Sequence, residues 1–518
     1  MILPVTVAGG HDAVVSASIE RVAQASIAAD ASFLSVAQGY VAVLVTAFVV
    51  TLLATPLMRR LALANGIIDH PTHDRKVHRR PVAYMGGVAV FLGLMAGIVM
   101  SYFAAIGIGF IDFHPSTMRE EGILDLAIPM SVILGMFVIM MVGLLDDIIH
   151  ISPRIKIAGQ LVAAAALAVN DVGVRVAAGF LLPVAKYFDV HLAVSPEGVN
   201  TIGWFIALPD AVPFVGDGLF FDLIYWTGTA IIAVFVLGAC NASNLTDGLD
   251  GLLSGVTAIA ALGLTIIAVS FAVWDSDPRN AQQIVLGMAL MGACLGFLPH
   301  NFRPASIFLG DCGSLLLGYS TIVLVLMLGG KHGQTHLVVA GLIIYGIPII
   351  DTVLAIIRRK LTGKKLSDAD TDHLHHMLER RFGVRGAVLT LYGFGLVLVV
   401  LGVTLARINS APIVYLATMA LTAIVALGAL VIARRTWWRR AQTALERGTG
   451  PDGQPRPDPR PGPASPRHAP SGHPHRQAAR HRVRSAERPR PRPERGRHQV
   501  QAQPRHHRQR DRSGRGRG

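Results

Sequence analysis

Residues 226–273 read WTGTAIIAVFVLGACNASNLTDGLDGLLSGVTAIAALGLTIIAVSFAV. Two apolar runs, 226–242 and 251–273, flank a short polar loop. About 20 predominantly apolar residues suffice to cross a bilayer as a helix. The loop therefore sits where two crossings meet. It holds Asn241, Asn244, Asp247 and Asp250 and no basic residue. An acid at the centre of a membrane helix costs about 2.5–3.5 kcal/mol on insertion scales. A chain that keeps acids at this depth needs something to neutralise them, and a divalent cation with an anionic substrate is the first expectation. The stretch predicts a membrane-spanning helical fold with carboxylates gathered at the ends of its spans.

The remainder of the chain follows the same pattern. Hydrophobic residues make up 52% and charged residues 15% of 518 residues, and the mean hydropathy is +0.49. That balance describes an all-α polytopic membrane protein rather than a soluble multidomain one. Candidate spans are 39–58, 86–107, 126–145, 155–171, 226–242, 251–273, 281–298, 313–329, 336–357, 388–406 and 412–433, about eleven in all. Residues 1–38 are expected to be an extracytoplasmic extension, 39–435 the transmembrane catalytic domain, and 436–518 a tail. The outer segment 172–225 contains Gly, Pro and short β-favouring runs, which predicts a hairpin or a re-entrant piece. Cys240, Cys294 and Cys312 lie in or beside apolar runs with no paired spacing, so neither a disulfide framework nor a zinc site is indicated.

Formal net charge is +14, yet residues 441–518 hold 19 arginines against 6 acids, so the basic character belongs to the tail. A Pro, Arg, Gly and His-rich segment with few aliphatic residues buries too little apolar surface to offset chain entropy and is expected to be disordered. Anionic lipid headgroups suit it as a partner. No nucleic-acid partner is expected, because no aromatic is interleaved with the arginines.

Lysine and arginine bias sets orientation. The loops after spans one, three and nine are rich in them: Arg59, Arg60, Arg75, Lys76, Arg79 and Arg80, then Arg154 and Lys156, then Arg358 through Arg385. The alternate loops are poor. The N-terminus is thus expected outside and the C-terminus in the cytoplasm. This orientation puts Asp146, Asp147, Asp247, Asp250 and Asp311 on the cytoplasmic side with the basic loops.

Four further motifs carry chemistry. In GLLDDIIHISPRIKIAGQ (143–160) Asp146 and Asp147 end a span, and adjacent helical residues point about 100° apart. One is free to approach a metal while the other accepts a proton or hydrogen bond. Lys156 and Gln160 follow at i, i+4 on one helical face, where a lysine can hold a phosphate. NFRPASIFLGDCGS (301–314) brings Asn301, Phe308 and Asp311 to the entrance of the next span. Asp311 is placed as a magnesium ligand there, and Phe308 can stack on a base. DHPTHDRKVHRRPVAYMGG (69–87) supplies Lys76 among other basic groups suited to a lipid phosphate or nucleotide. DHLHHMLERRFG (372–383) supplies His373, His375 and His376. Oxygen donors dominate the other motifs, so these histidines suit a pyrophosphate better than zinc. Asp351 stands within the ninth span and is a functional candidate or the partner of a basic neighbour.

In this order the motifs resemble those of the polyprenyl-phosphate N-acetylhexosamine-1-phosphate transferases, over roughly residues 40–435. Within that family the HLHHxLxxxxG form is similar to the branch that uses UDP-N-acetylglucosamine. The sister branch makes the first lipid intermediate of peptidoglycan, and its longer histidine run is absent here. The resemblance implies transfer of a sugar 1-phosphate from a UDP-sugar to a polyprenyl phosphate, undecaprenyl or decaprenyl, with release of UMP. It implies Mg2+, which Mn2+ is able to replace, held by Asp311 with Asn244 or Asp247. Asp146 or Asp147 would orient the attacking phosphate or take its proton. Asp250, Phe308 and Asn301 would face the uridine, Asn241 would take part in substrate binding, and Lys76, Lys156, His373, His375 and His376 would hold phosphates. A homodimer is compatible with such a chain. A transporter is the rival class, but its ionisable groups would lie near the bilayer midplane and its halves would repeat.

Overall fold

A computed structural model describes residues 33–69, 81–103, 128–189, 193–194, 200–207, 218–273, 278–329, 335–361 and 374–408, with a few isolated positions beyond. The chain divides into two units, Met1–Arg447 and Gly448–Gly518, and the described residues belong to the first. Lys76, His373, the expected span 412–433 and the arginine-rich tail fall outside them.

Thirteen helices occur among the described residues: α1 (Phe33–Gly39), α2 (Val41–Ala64), α3 (Gly86–Phe103), α4 (Met130–Ile149), α5 (Pro153–Val169), α6 (Val176–Tyr187), α7 (Leu223–Thr246), α8 (Leu252–Ala272), α9 (Pro278–Asn301), α10 (Gly310–Leu328), α11 (Thr335–Ile344), α12 (Gly346–Leu361) and α13 (Leu374–Arg407). Eight are long and apolar enough to cross a membrane, or nine crossings if α11 and α12 count as one broken span. The protein is an all-α multi-pass membrane protein. Two expectations change. The segment expected at 155–171 is the 17-residue α5, shorter than the eight crossing helices. The segment expected at 336–357 is two arms bent by 78° rather than one rod. Tyr345 separates those arms, and Pro348 sits in the first turn of the second, where its missing N–H costs no helical bond.

The bundle has a distinct centre. Every residue of α10 from Cys312 to Leu328 is buried, and it packs against α3, α4, α7 and α8. By contrast α2 presents Leu53 and Leu57, and α13 presents Val397 and Val400, at its surface, as lipid-facing helices should. Small residues let helices approach closely where no hydrophobic drive separates lipid from protein. On α9, Gly292 and Gly296 lie against the backbone carbonyls of Leu44 and Phe48 in α2.

The segment 172–225 contains the expected hairpins, with β3 (Ala193–Val194) paired to β4 (Asn200–Thr201) and β5 (Gly203–Ala207) paired to β6 (Gly218–Asp222). It also contains α6, which the sequence reading did not anticipate. Asp222 ends β6 and caps α7, accepting from the Tyr225 backbone N–H at 3.0 Å and the Thr201 hydroxyl at 2.5 Å. A second small device matters more for the site. The antiparallel pair β1 (Ile68–Asp69) and β2 (Val82–Ala83) leads into α3. There the chain is zipped to the strand-like approach to α10: Phe308 N–H donates to Ala83 O, Gly86 N–H to Phe308 O and Gly87 N–H to Leu309 O, at 2.8–3.0 Å.

Candidate active site

The ends of α4, α7 and α10 and the start of α5 converge on one cluster. α4 ends at Ile149, and Pro153 opens α5 from its first position, so the chain reverses within three residues. That turn returns Lys156 to the acids just passed. Its ammonium lies 2.7 Å from Asp146 Oδ2 and 2.5 Å from Asp311 Oδ2. One turn further along α5, buried Gln160 accepts from Asn241 Nδ2 at 3.0 Å. The shared face expected for Lys156 and Gln160 is thus the face that meets α7 and the carboxylates.

The Asp146–Asp147 pair divides as its angular separation suggests. Asp146 faces Lys156. Asp147 accepts the backbone N–H groups of Asp311 at 2.8 Å and Cys312 at 3.0 Å. Those groups begin α10, where free N–H donors and the helix dipole favour an anion. Gly310 has φ +72°, a conformation that favours glycine, and a Cβ there would meet the Asp147 carboxylate. A Cβ on Gly143 of α4 would likewise meet the backbone of Asp311 and Cys312.

Asp311 receives a second donor from α7. Asn244 Nδ2 donates to Asp311 Oδ1 at 2.8 Å and lies 2.9 Å from Ser314 Oγ. Ser314 was not singled out from sequence, although it lies three residues after Asp311 and so on the same helical face. Asp247 follows as the C-terminal cap of α7. Burial, followed by the carboxylates of Asp311, Asp147 and Asp250, pushes its carboxyl up to about 8.

The remaining candidates surround this centre in unequal ways. Asp250 accepts from the Ala305 backbone N–H at 3.2 Å, and so ties its loop to the approach to α10. Asn301 is buried and its amide is spent inside the protein, on the Gly251 N–H at 3.1 Å, the Ser254 hydroxyl at 3.2 Å and the Ile307 carbonyl at 3.2 Å. It shapes the loop instead of facing outward. Phe308 is half-buried, with its ring 6.1 Å from that of Tyr84. His376 is half-buried, 3.2 Å from Glu379. His375 is buried behind the Asp247–Asp250 loop. Arg59, read from sequence only as part of a basic loop, donates from Nε to Ser306 O at 2.9 Å and steadies the same approach.

Among the described residues no group of three or more His, Cys, Asp or Glu side chains is arranged as a metal site. In this geometry the Lys156 ammonium is the cation shared by Asp146 and Asp311. The chemistry of the donors nonetheless suits a hard cation, which takes oxygen ligands. Asp311 and Asp247 offer carboxylates beside Asn244, whose amide can turn its oxygen where it now turns its nitrogen. Burial first, and then the carboxylates of Asp311, Asp147 and Asp250, raise the Asp247 carboxyl, and a bound cation would offset that charge.

Comparison with known proteins identifies the family. The family model for glycosyl transferase family 4 matches residues 129–329, which run from the start of α4 to the end of α10. The chain is 31% identical over 362 residues to the probable undecaprenyl-phosphate N-acetylglucosaminyl 1-phosphate transferase of Bacillus subtilis, a match spanning 68% of this chain and 82% of that protein. It is 31% identical over 364 residues to the decaprenyl-phosphate N-acetylglucosaminephosphotransferase of Mycolicibacterium smegmatis, spanning 67% and 77%. It is also 33% identical over 376 residues to the phospho-N-acetylmuramoyl-pentapeptide-transferase of Desulforudis audaxviator, spanning 69% and 95%. The chain belongs to glycosyl transferase family 4, the family of polyprenyl-phosphate N-acetylhexosamine-1-phosphate transferases that its motifs resemble.

Proposed function

We propose that the protein transfers N-acetylglucosamine 1-phosphate from UDP-N-acetylglucosamine to a polyprenyl phosphate and releases UMP, as a first membrane step in cell-envelope polysaccharide assembly. The observation that carries this reading is the Lys156 ammonium held between Asp146 and Asp311, at a cluster that three span ends build. Both reactants are anions, so positioning and charge screening are the main demands on the protein. An oxygen of the lipid phosphate attacks the phosphorus that bears the sugar. The bond from that phosphorus to the bridging oxygen breaks, and the oxygen leaves on UMP.

Lys156, the cation between Asp146 and Asp311, is assigned to hold a phosphate oxygen. Asp146, on the face of α4 that meets Lys156, is the carboxylate suited to orient the attacking phosphate or accept its proton. Asp147, engaged with the first N–H groups of α10, keeps Asp311 in register. Magnesium would be held by Asp311 with Asn244 or Asp247, and would supply neutralisation of the pyrophosphate charge. Asp250, Phe308 and Asn241 are assigned to the nucleotide side, and His376 to phosphate. By the lysine and arginine bias the site opens to the cytoplasm, where UDP-sugars are made.

The identity to the Desulforudis protein favours a second reading, transfer of phospho-N-acetylmuramoyl-pentapeptide. A donor panel separates the two. Purified enzyme with Mg2+ and polyprenyl phosphate should release UMP from UDP-N-acetylglucosamine and not from UDP-N-acetylmuramoyl-pentapeptide. The reverse preference would move the protein to the second reading. Substrate flux across liposomes with no UMP release would make it a transporter. Asp311→Ala should abolish release in protein that remains folded.

A further inference from the structure

We infer that Asp351 and His375 form a buried positioning pair that fixes the Asp247–Asp250 loop from behind, at Gly248. Both residues are 2% exposed. Asp351 belongs to α12, the second arm of the broken span. Its Oδ1 accepts the backbone N–H of Leu374 at 2.8 Å, and its Oδ2 lies 3.4 Å from His375 Nδ1. The first N–H groups of a helix have no partner within it. The start of α13 is thus capped by an acid from a different helix, and the cap and the imidazole share one carboxylate.

The ring's other nitrogen faces the loop. A Cβ built on Gly248 would run into His375 Nε2, with the ring carbons next. Two further contacts join α13 to the same loop. Tyr392 donates its hydroxyl to Gly251 O at 2.5 Å. Leu249 packs in a small apolar cluster with Ile347 of α12 and Leu391 of α13. The loop carrying Asp247 and Asp250 therefore rests on a platform made by the bent span and α13, and Asp351 sets the distance between them. An acid kept at membrane depth is costly, and here the cost supports a loop that does chemistry. Asp351 and His375 are positioning residues: neither is assigned a contact with substrate. The inference rests on the transfer reading of that loop, because a positioning role needs a reaction to serve.

The test is a double-mutant cycle on the full-length protein in nanodiscs. It is read by UMP-release kinetics, by thermal unfolding and by amide hydrogen exchange across residues 244–252 and 374–380. Gly248→Ala displaces the ring and His375→Ala removes it. Each single variant should lower kcat by about tenfold or more with a smaller change in the KM for UDP-sugar, as loss of a supporting partner does. Each should also raise exchange across the loop. The double variant should be no worse than the poorer single, because both changes break one contact. Asp351→Asn still offers an oxygen to the Leu374 N–H, so it should protect 374–380 while loosening the loop. Asp351→Ala should lose both; a merely space-filling role predicts that isosteric Asn restores the two regions together, so the split between 374–380 and the loop is the deciding readout. Additive losses in the cycle, or unchanged loop exchange in the variants, overturn the pair. If His375→Ala does not accumulate, His375→Gln takes its place in the same cycle. If the wild-type protein releases no UMP from any donor, the transfer reading fails, and the exchange arm still decides whether the pair holds the loop.

Discussion

Asp146 and Asp147 are neighbours with separate work. Asp147 accepts two backbone N–H groups, and hydrogen bonds to a charged group contribute about 1.5–3 kcal/mol each. Asp147→Ala should therefore lower thermal stability as well as activity. Asp146→Asn should leave the melting temperature close to wild type while UMP release falls. Lys156→Met removes the one cation shared by Asp146 and Asp311, and kcat should fall by about 10²–10³-fold, the scale seen when one electrostatic donor is lost from a reacting centre. Asp247 gives a pH dependence. With its carboxyl raised to about 8, a cation must displace a proton to bind. Half-saturating Mg2+ should fall up to about tenfold per pH unit as pH rises toward 8 and level off above it. Without the cation the same group opposes folding: its unfolded pKa is about 3.9, so the folded state holds more protons between there and 8 and loses stability as pH rises through that window. Titrating melting temperature with and without EDTA checks the sign. The sequence made these residue types legible because acids and amides beside apolar runs are costly. It could not say which acid of a pair meets a backbone 164 residues away. Nor could it say that Asn301 and His375 turn inward, because both depend on long-range packing.

Helix existence was legible wherever an apolar run was long, and α7 and α8 match the runs from which they were read. The break between α11 and α12 was also written in the chain, in Gly346 and Pro348, but a hydropathy window passes over a bend. α6 was hidden because 12 residues give too little periodicity to stand out among Gly and Pro. The N-terminal turn of α10 shows what the elements require of one another. Gly87 on α3 would place a Cβ against the backbone of Gly313, and Gly143 on α4 would do so against Asp311 and Cys312. Over-packing of this kind costs about 1–3 kcal/mol. Gly87→Ala and Gly143→Ala should each lower the melting temperature and the activity together. The same change at Gly238 of α7, where nothing beyond its own stretch of helix backbone lies within 4 Å of an added Cβ, should do neither.

At the scale of the molecule, the site residues that the structure describes fall between Asp146 and His376, well before the arginine-rich tail. Deleting 441–518 should leave UMP release by the purified enzyme unchanged, and a large loss would assign the tail a part in catalysis. The way the two sides of the site are fastened has a mechanical consequence. On the side of α3, α4 and α10 the fastening is backbone on backbone: the zipper from Ala83 to Leu309 and the glycine contacts at Gly87 and Gly143. On the other side the Asp247–Asp250 loop meets α13 through the side chains of His375 and Tyr392. A single side-chain truncation can therefore loosen the Asp247–Asp250 loop from α13, whereas none removes the backbone bonds that tie α3 to the approach to α10.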